Sequence, residues 1–236
     1  MDPVEGIALW GLGTAADPSR RVQRVGVGLT MSDIRVTRGE GRLELFLATQ
    51  RAKVADRLIP RNLRDGRIVD IGCGSYPFFL SRVDFSEKVG LDKVSWDSPA
   101  SLAQSGIQLI GHDLHSSDPL PLETESCDVV SMLAVIEHIE PALVPSLLRE
   151  VRRVLRLRGL FVMTTPAPWT DRLLRIMADL QLVSRCEIED HKDVLSLARI
   201  MTLLLDAGFK RENIRSGHFE IFMNRWVAAR REGDEP

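Results

Sequence analysis

The spacing of apolar and polar residues along the chain predicts alternating helices and strands. Apolar residues recur at helical spacing in three stretches, which predict amphipathic helices at 41–60, 141–159 and 193–208. Five short apolar segments predict buried strands at 67–72, 87–92, 107–113, 127–135 and 160–165. Because strands that alternate with helices build βαβ units, we expect a doubly wound α/β fold with a mainly parallel sheet covered on both faces.

The end of the chain predicts a change of strand direction. Residues 209–230 contain two extended segments, and we place the tight turn that joins them at Ser216 and Gly217. Because a hairpin joins antiparallel strands, we expect a seven-stranded sheet whose last strand runs antiparallel.

The length of the chain, 236 residues, is enough for one large domain. We expect residues 1–38 to be a flexible extension. Their apolar run at 7–16 is followed by arginines, which is the reverse of a secretory signal. Residues 39–230 then form the principal domain, with a lid-like insertion at about 166–193.

The composition narrows the classes of partner. The formal net charge is −2, from 31 basic and 33 acidic side chains, so no global field attracts nucleic acid. No apolar run is long enough to span a bilayer. Cys73, Cys127 and Cys186 are too far apart for a zinc site or a disulfide scaffold. We therefore expect a soluble cytoplasmic protein without a metal site, and the oligomeric state stays open.

The residues that end the predicted strands are the candidates for function, because open α/β sheets bind ligands beyond the carboxyl ends of their strands. Gly72 and Gly74 follow the first strand and let the main chain approach a ligand closely. Asp92 lies about 20 positions further on, where it can accept hydrogen bonds from ribose hydroxyls. The third strand ends at His112 and Asp113. Together these residues indicate a bound nucleoside.

Two common phosphate-binding patterns do not fit the glycine turn. The dinucleotide fingerprint needs a third glycine where this chain has Pro77, and no Gly-Lys-Ser/Thr follows to make a phosphate loop. Asp70 and Asp113 add negative charge, which would repel a pyrophosphate. The same charge suits a ligand that carries sulfonium and ammonium groups.

Five ordered sequence blocks carry a family resemblance. They are "IVDIGCGSYPFFL", "VGLDKV", "GHDL", "CDVVSMLAVIEHIEP" and "LLREVRRVLRLRGLFVMTTP", within about 64–168. They resemble the class I S-adenosylmethionine-dependent methyltransferases, and within that group the type 11 subfamily. The resemblance implies a Rossmann-like fold, S-adenosylmethionine as cofactor and S-adenosylhomocysteine as product. The chain departs from the family at 156–159, where "RLRG" replaces the usual Lys-Pro-Gly-Gly, so we expect a different turn geometry there.

The resemblance also implies roles for individual residues. Asp70 and the glycine turn would hold the methionine end of the cofactor, Asp92 the ribose, and Asp113 the adenine amino group. The full set of cofactor-binding residues implied in this way is Asp70, Gly72, Cys73, Gly74, Asp92, Lys93, Asp113, Leu114, Leu133 and Ala134. His138 would face the mouth of the site, where it is the candidate general base for an acceptor that must lose a proton.

The acceptor of the methyl group is less defined. The resemblance implies a small molecule, and "AVIEHIEP" stands where amino-methylating enzymes of DNA bases have Asn/Asp-Pro-Pro-Tyr/Phe. We therefore expect O- or C-methylation of a natural product, sugar, lipid or quinone. The residues expected to line the acceptor pocket are Phe46, Trp169, Met177 and His191.

Alternative interpretations stay open on the sequence alone. The glycines could form a purely structural turn, Asp92 could cap a helix, and His138 could be a packing residue. Glu137 could orient His138 or cap the following helix. The chain could also be an NAD(P)-binding oxidoreductase, or a non-catalytic partner protein that only binds S-adenosylmethionine.

Overall fold

A single seven-stranded sheet organises the chain. The computed structural model describes residues 44–93, 105–167, 195–219 and 223–233. The strands are β1 Arg67–Ile71, β2 Glu87–Asp92, β3 Ile107–Gly111, β4 Cys127–Leu133, β5 Leu155–Pro166, β6 Ile214–Phe219 and β7 Asn224–Arg230. The α-helices described are α1 Glu44–Leu58, α2 Val144–Val154 and α3 Leu197–Asp206. Three short 3₁₀ helices cover Arg61–Leu63, Ile136–His138 and Arg211–Asn213.

The strand order is β3-β2-β1-β4-β5-β7-β6. Strands β1 to β5 pair in parallel, whereas β7 is antiparallel to both β5 and β6. The predicted doubly wound fold, mainly parallel with an antiparallel last strand, is therefore confirmed. The winding changes direction between β1 and β4, and a sheet of this kind binds its ligand at that point.

Helices α2 and α3 cover one face of the sheet. The buried stripe of α2 packs with Ile200, Leu203 and Leu204 of α3 on alternate strand residues such as Met132 and Phe161. The opposite alternation places Val129 and Val162 on the other face, where they are also fully buried. Helix α1 contacts β4, β5 and β7. Both faces of the sheet are thus covered, as the sequence predicts.

The boundary between α2 and β5 differs from the prediction of a helix over 141–159. The helix ends at Val154, and Leu155 already pairs with Cys127 of β4. The next paired position is Val129 with Leu160, so residues 156–159 form a bulge. This bulge is the "RLRG" segment, where the chain departs from the sequence pattern of the family. Arg158 adopts φ +65 there, and its amide donates to the carbonyl of Arg231 at 2.7 Å.

The predicted position of the last hairpin turn is wrong. Ser216 and Gly217 lie inside β6, where they pair with Val227 and Trp226 of β7, and the chain reverses between Phe219 and Asn224 instead. The glycine at this position allows a close contact rather than a turn. A Cβ atom on Gly217 would lie 2.6 Å from the indole of Trp226.

The link from β1 to β2 also departs from a βαβ unit. Residues 72–86 contain turns and no helix. The link is nevertheless anchored in the protein, because Phe78, Phe79, Leu80 and Val83 are all at most 4% exposed. The connection over α2, between β4 and β5, follows the predicted helical pattern.

Several expectations fall on other parts of the chain. The extension at 1–38, most of the insertion at 166–193, and the side chains of Trp169, Met177 and His191 lie outside the described residues. Phe46 belongs to α1 and is 54% exposed. None of the helices within the described ranges is long and apolar enough to cross a membrane.

Candidate functional site

The strand ends selected from the sequence lie side by side along one edge of the sheet. Strands β3, β2, β1 and β4 are parallel neighbours in that order, so their carboxyl ends meet. Asp70 lies in β1, Asp92 ends β2, and Leu133 ends β4. Asp113 follows β3 by two residues. The structure thus brings together predicted residues that are spread over more than 60 positions of the chain.

The glycine turn after β1 has a main-chain geometry that side chains disfavour. Gly72 and Gly74 adopt φ values of +73 and +74. The amide of Gly72 donates to the carbonyl of Leu91 at 2.7 Å, which ties the turn to β2. A Cβ atom on Gly72 would lie 2.5 Å from Cγ2 of Val135. Both the backbone conformation and the adjacent Val135 therefore require glycine at position 72.

Asp92 holds this turn from the neighbouring strand. Its Oδ2 accepts the amide of Gly74 at 2.9 Å, and its Oδ1 accepts the amide of Lys93 at 2.7 Å. Asp92 is only 3% exposed. Its carboxylate therefore fixes the main chain just beyond the ends of both β1 and β2. Lys93 itself is exposed.

Asp70 is a buried carboxyl under the glycine turn. It is 5% exposed, and its Oδ1 accepts a hydrogen bond from Oγ of Ser131 at 2.7 Å. Burial raises the pKa of Asp70 to about 7, with the Ser131 bond opposing the rise and the nearby charge of Asp92 adding to it. A cationic ligand would stabilise the ionised form of this carboxyl.

Asp113 provides a carboxylate with a different environment. It is exposed, and its Oδ1 accepts the amide of His115 at 3.0 Å. This hydrogen bond is the main cause of the lowered pKa of Asp113. The adjacent Leu114 packs against the apolar core. An ionised acceptor beside an apolar side chain suits a flat base that carries an amino group.

The chain leaves β4 in a strained conformation. Ala134 has φ +56, and its amide donates to the carbonyl of Thr164 at 2.9 Å. A left-handed conformation costs about 1–2 kcal/mol for a residue with a Cβ atom. Such outliers are common at functional sites, where the surrounding structure maintains them. Here the strained residue leads directly into Val135, which packs against Gly72.

His138 lies in the 3₁₀ helix Ile136–His138 that follows β4. It is half-buried, and its amide donates to the carbonyl of Val135 at 2.9 Å. The preceding Glu137 is 1% exposed, and its Oε2 accepts a hydrogen bond from Oγ1 of Thr165 at 3.2 Å. Glu137 therefore links the turn that carries His138 to the end of β5.

Three residues that shape the site were given no role from the sequence: Ser131 and Thr165 were not selected, and Val135 was selected only as part of the run 133–138 after the fourth strand. A small polar residue inside an apolar strand segment is the signal that could have identified Ser131. No comparable signal exists for Val135 or Thr165. Their contacts with Gly72 and Glu137 depend on how separate strands pack.

The donor set fits S-adenosylmethionine, as three features of the site show. Asp70 and Asp92 supply carboxyl groups for a ligand with positive charge, the glycine turn exposes main chain, and Asp113 can accept from an amino group. Within the described ranges, no group of three or more His, Cys, Asp or Glu residues could hold a metal ion.

Comparison with known proteins agrees with this chemistry. The family model described as "Methyltransferase domain" matches residues 43–213, which is most of the chain. The matched model is the type 23 domain, so the type 11 resemblance stays a prediction. No curated protein matches the chain.

Solved structures share the fold at low sequence identity. A possible exported protein from Bordetella parapertussis is 22% identical with a TM-score of 0.62, over 81% of this chain and 71% of that one. An S-adenosylmethionine-dependent methyltransferase from Mesorhizobium loti is 21% identical with a TM-score of 0.58, over 78% and 100%. A protein from Thermotoga maritima, described as a possible histamine N-methyltransferase, is 17% identical with a TM-score of 0.57, over 79% and 89%. The family match and the shared fold show that the chain belongs to the class I S-adenosylmethionine-dependent methyltransferases.

Proposed function

We propose that the protein transfers the methyl group of S-adenosylmethionine to a small-molecule acceptor by O- or C-methylation. The observation that carries the proposal is the cluster of buried carboxyl groups around the glycine turn, which suits a cationic nucleoside. Asp92 supports it most directly, because its buried carboxylate ends β2 and holds Gly74 of the glycine turn in place, which is where a ribose is bound in sheets of this kind.

The cofactor supplies an activated methyl group, so the protein mainly has to bind, orient and exclude water. Asp70 and the glycine turn would hold the methionine end, and Asp113 with Leu114 the adenine. Positioning of this kind can contribute about 7–11 kcal/mol to the acceleration of a two-substrate reaction. The strained Ala134 and the preceding Leu133 would border the methyl group.

His138 is the proposed general base for an acceptor that must lose a proton. The support is its position in the turn after β4 and the anchoring of that turn by Glu137 and Thr165. The pKa of free histidine suits proton transfer near neutral pH. A carbon acceptor that is already acidic would need this base less than an alcohol would.

The proposal is tested first by cofactor binding. Calorimetry should show that S-adenosylmethionine and S-adenosylhomocysteine bind, and that Asp92→Asn weakens both by about tenfold or more, since a charge-assisted hydrogen bond contributes about 1.5–3 kcal/mol. Asp65→Asn is the matched control, because Asp65 is exposed and precedes β1, at the opposite edge of the sheet from the proposed site. Equal binding by wild type and Asp92→Asn would remove Asp92 from the site. A cofactor that does not bind at all would contradict the proposal.

Methyl transfer is tested with radiolabelled cofactor against alcohols, phenols, quinones and acidic carbon compounds, with amines as the opposing class. We expect label in an oxygen- or carbon-methylated product. His138→Ala should lower turnover by about 10²-fold or more while cofactor affinity stays unchanged. His218→Ala, at an exposed position of β6, is the control. Transfer only to amines would contradict the proposed acceptor class. An unchanged rate in His138→Ala would show that His138 is not the general base.

A further inference from the structure

Asp70 and Ser131 form a buried polar pair inside the sheet, and the Ser131 hydroxyl also lies 3.4 Å from the carbonyl oxygen of Val69. Asp70 lies opposite Ser131 of β4 and opposite Gly90 of β2 in the strand register. Ser131 is fully buried, and its hydroxyl donates to the carboxyl at 2.7 Å. Because Gly90 has no side chain, no group from that position reaches the carboxyl. Sγ of Cys73 lies beside Gly90, within 2.8 Å of where a Cβ atom would be.

Among the described residues, the charged group that acts on Asp70 is another carboxylate and not a basic side chain. The charged group that acts on it electrostatically is the carboxylate of Asp92, and Ser131 donates a hydrogen bond to it. In the part of the chain that the structure describes, no basic side chain offsets its burial. Burial and Asp92 together raise the pKa of Asp70 to about 7, so this carboxyl binds a proton at a pH where an exposed aspartate would be ionised.

We propose that Asp70 and Ser131 form a proton-exchange pair: Asp70 releases its proton to solvent when the ammonium group of the cofactor binds beside it, and Ser131 sets the pH at which this happens. The inference rests on the proposed function. In the exchange, the O–H bond of the carboxyl breaks, the electron pair stays on oxygen, and the proton passes to the buffer. Nothing is oxidised or reduced.

Ser131 is a positioning residue in this pair, because it acts through Asp70. Its hydroxyl lowers the pKa of Asp70, since a hydrogen bond to the charged form stabilises that form. Without the hydroxyl, a higher pH would be needed before the carboxyl could meet an ammonium group in its ionised form. The pair would therefore select ligands by charge as well as by shape.

The experiment is calorimetry between pH 5.5 and 7, where an α-ammonium group stays charged. Each titration is run in two buffers of different ionisation enthalpy, which counts the protons released. For wild type we expect about half a proton released at pH 7, and affinity for S-adenosylhomocysteine about fivefold weaker at pH 6 than at pH 7. Methylthioadenosine, which has the nucleoside and thioether but no ammonium group, should release none.

Three variants separate this exchange from a purely structural role. Asp70→Asn should abolish proton release and make the affinity independent of pH. Ser131→Ala should move the pH dependence to higher pH by about one unit. Ser131→Cys, which has a similar size but a weak donor, should resemble Ser131→Ala. Thermal unfolding checks that each variant is folded.

The outcomes distinguish this inference from the proposed function. Binding by wild type without proton release and without pH dependence would overturn the proton exchange while leaving the methyltransferase proposal standing. An unshifted pH profile in Ser131→Ala would remove Ser131 from the pair. Failure of both cofactor and product to bind at any pH would overturn the proposed function itself, and the proton exchange with it.

Discussion

Gly72 and Gly106 both adopt left-handed backbone conformations but have different surroundings. Gly72 has φ +73 and Gly106 has φ +69. A Cβ atom on Gly72 would meet Val135, whereas a Cβ atom on Gly106 would have no atom of another described residue within 4 Å, its two chain neighbours apart. A side chain at Gly106 would therefore cost only the energy of the left-handed backbone, whereas one at Gly72 would also collide with Val135. The tightly packed glycine, Gly72, is the one in the proposed cofactor site.

Alanine substitutions at these two glycines should therefore differ in effect. Gly106→Ala should lower the free energy of unfolding by about 1–2 kcal/mol, from backbone strain alone. Gly72→Ala should cost about 1–3 kcal/mol more, because the methyl group is forced against Val135. Urea denaturation measures both values. Adding Val135→Ala to Gly72→Ala should recover part of the extra cost, and no recovery would show that Val135 is not the obstacle.

Asp70 should make the cofactor-free protein less stable at alkaline pH. Its folded-state pKa of about 7 exceeds the ordinary value of 3.8, so the folded state binds more protons between these values and stability falls as pH rises through that range. Above pH 7 the loss is complete, at about 4 kcal/mol. Asp70→Asn should raise the free energy of unfolding at pH 8 by up to that amount.

The check is urea denaturation of both proteins at pH 8 and pH 5. The advantage of Asp70→Asn should fall by more than half at pH 5, because the wild-type carboxyl is then largely protonated in the folded state. An advantage of equal size at both pH values would contradict an ionisation effect. A variant that is more stable but binds cofactor less well would show that Asp70 is kept for function.

At the scale of elements, a side chain of β7 is hydrogen-bonded to the residues on either side of the insertion that follows β5. Nη2 of Arg225 donates to the carbonyls of Pro166 and Leu195, at 3.2 and 2.9 Å. These two residues lie on either side of residues 168–194. Arg225 is 5% exposed, and burial lowers the pKa of its guanidinium group. One side chain therefore joins both ends of the insertion to the sheet.

Arg225→Ala should destabilise the protein by about 2–4 kcal/mol, because it leaves two buried carbonyls without a donor. Arg225→Lys should recover part of this loss. The amide of Ala167, which donates to the carbonyl of Met223 at 2.8 Å, should exchange its hydrogen faster in the alanine variant. Arg230→Ala, at the other end of β7, is the control. Equal stability of Arg225→Ala and wild type would contradict this role.

The strands and helices also show which parts of the fold could be predicted from the sequence and which depend on contacts between distant residues. Strands β1 to β5 and the three helices were predicted because their apolar periodicities are strong. The end of α2 was missed because Leu155 continues the helical stripe in sequence but pairs with Cys127 in space. Gly217 was taken as a turn because its contact with Trp226 depends on strand pairing. Asp70, Gly72 and Asp92 of the proposed site could be selected in advance because they lie at or beside strand ends, whereas the contact of Ser131 with Asp70 depends on strand pairing.

At the scale of the whole molecule, the site joins the central strands of the sheet, so a bound ligand should stabilise the entire folded unit. At 100 times its dissociation constant, a ligand that binds only the folded state adds about 2.7 kcal/mol. For a domain of this size that corresponds to a rise in Tm of about 5–10 °C. S-adenosylhomocysteine should produce this rise in wild type and a much smaller one in Asp92→Asn.

The same measurement with NADH serves as the negative control, because the glycine turn lacks the third glycine of a dinucleotide fingerprint and has Pro77 in its place. A rise in Tm with NADH but not with S-adenosylhomocysteine would contradict the proposed cofactor. If neither ligand raised Tm, the protein would belong to the methyltransferase family by fold without binding the cofactor of the family.

The link between β1 and β2 should affect how strongly nucleotides that carry phosphates bind to the protein. Where a helix follows the first strand, its amino-terminal dipole points at the ligand and attracts phosphate. Here residues 72–86 form turns only, so that dipole is missing and the local field is set by carboxyl groups. ATP and related metabolites are abundant competitors that share an adenosine with the proposed cofactor. Without a helix dipole to bind their phosphates, ATP and related nucleotides should compete poorly for the proposed cofactor site.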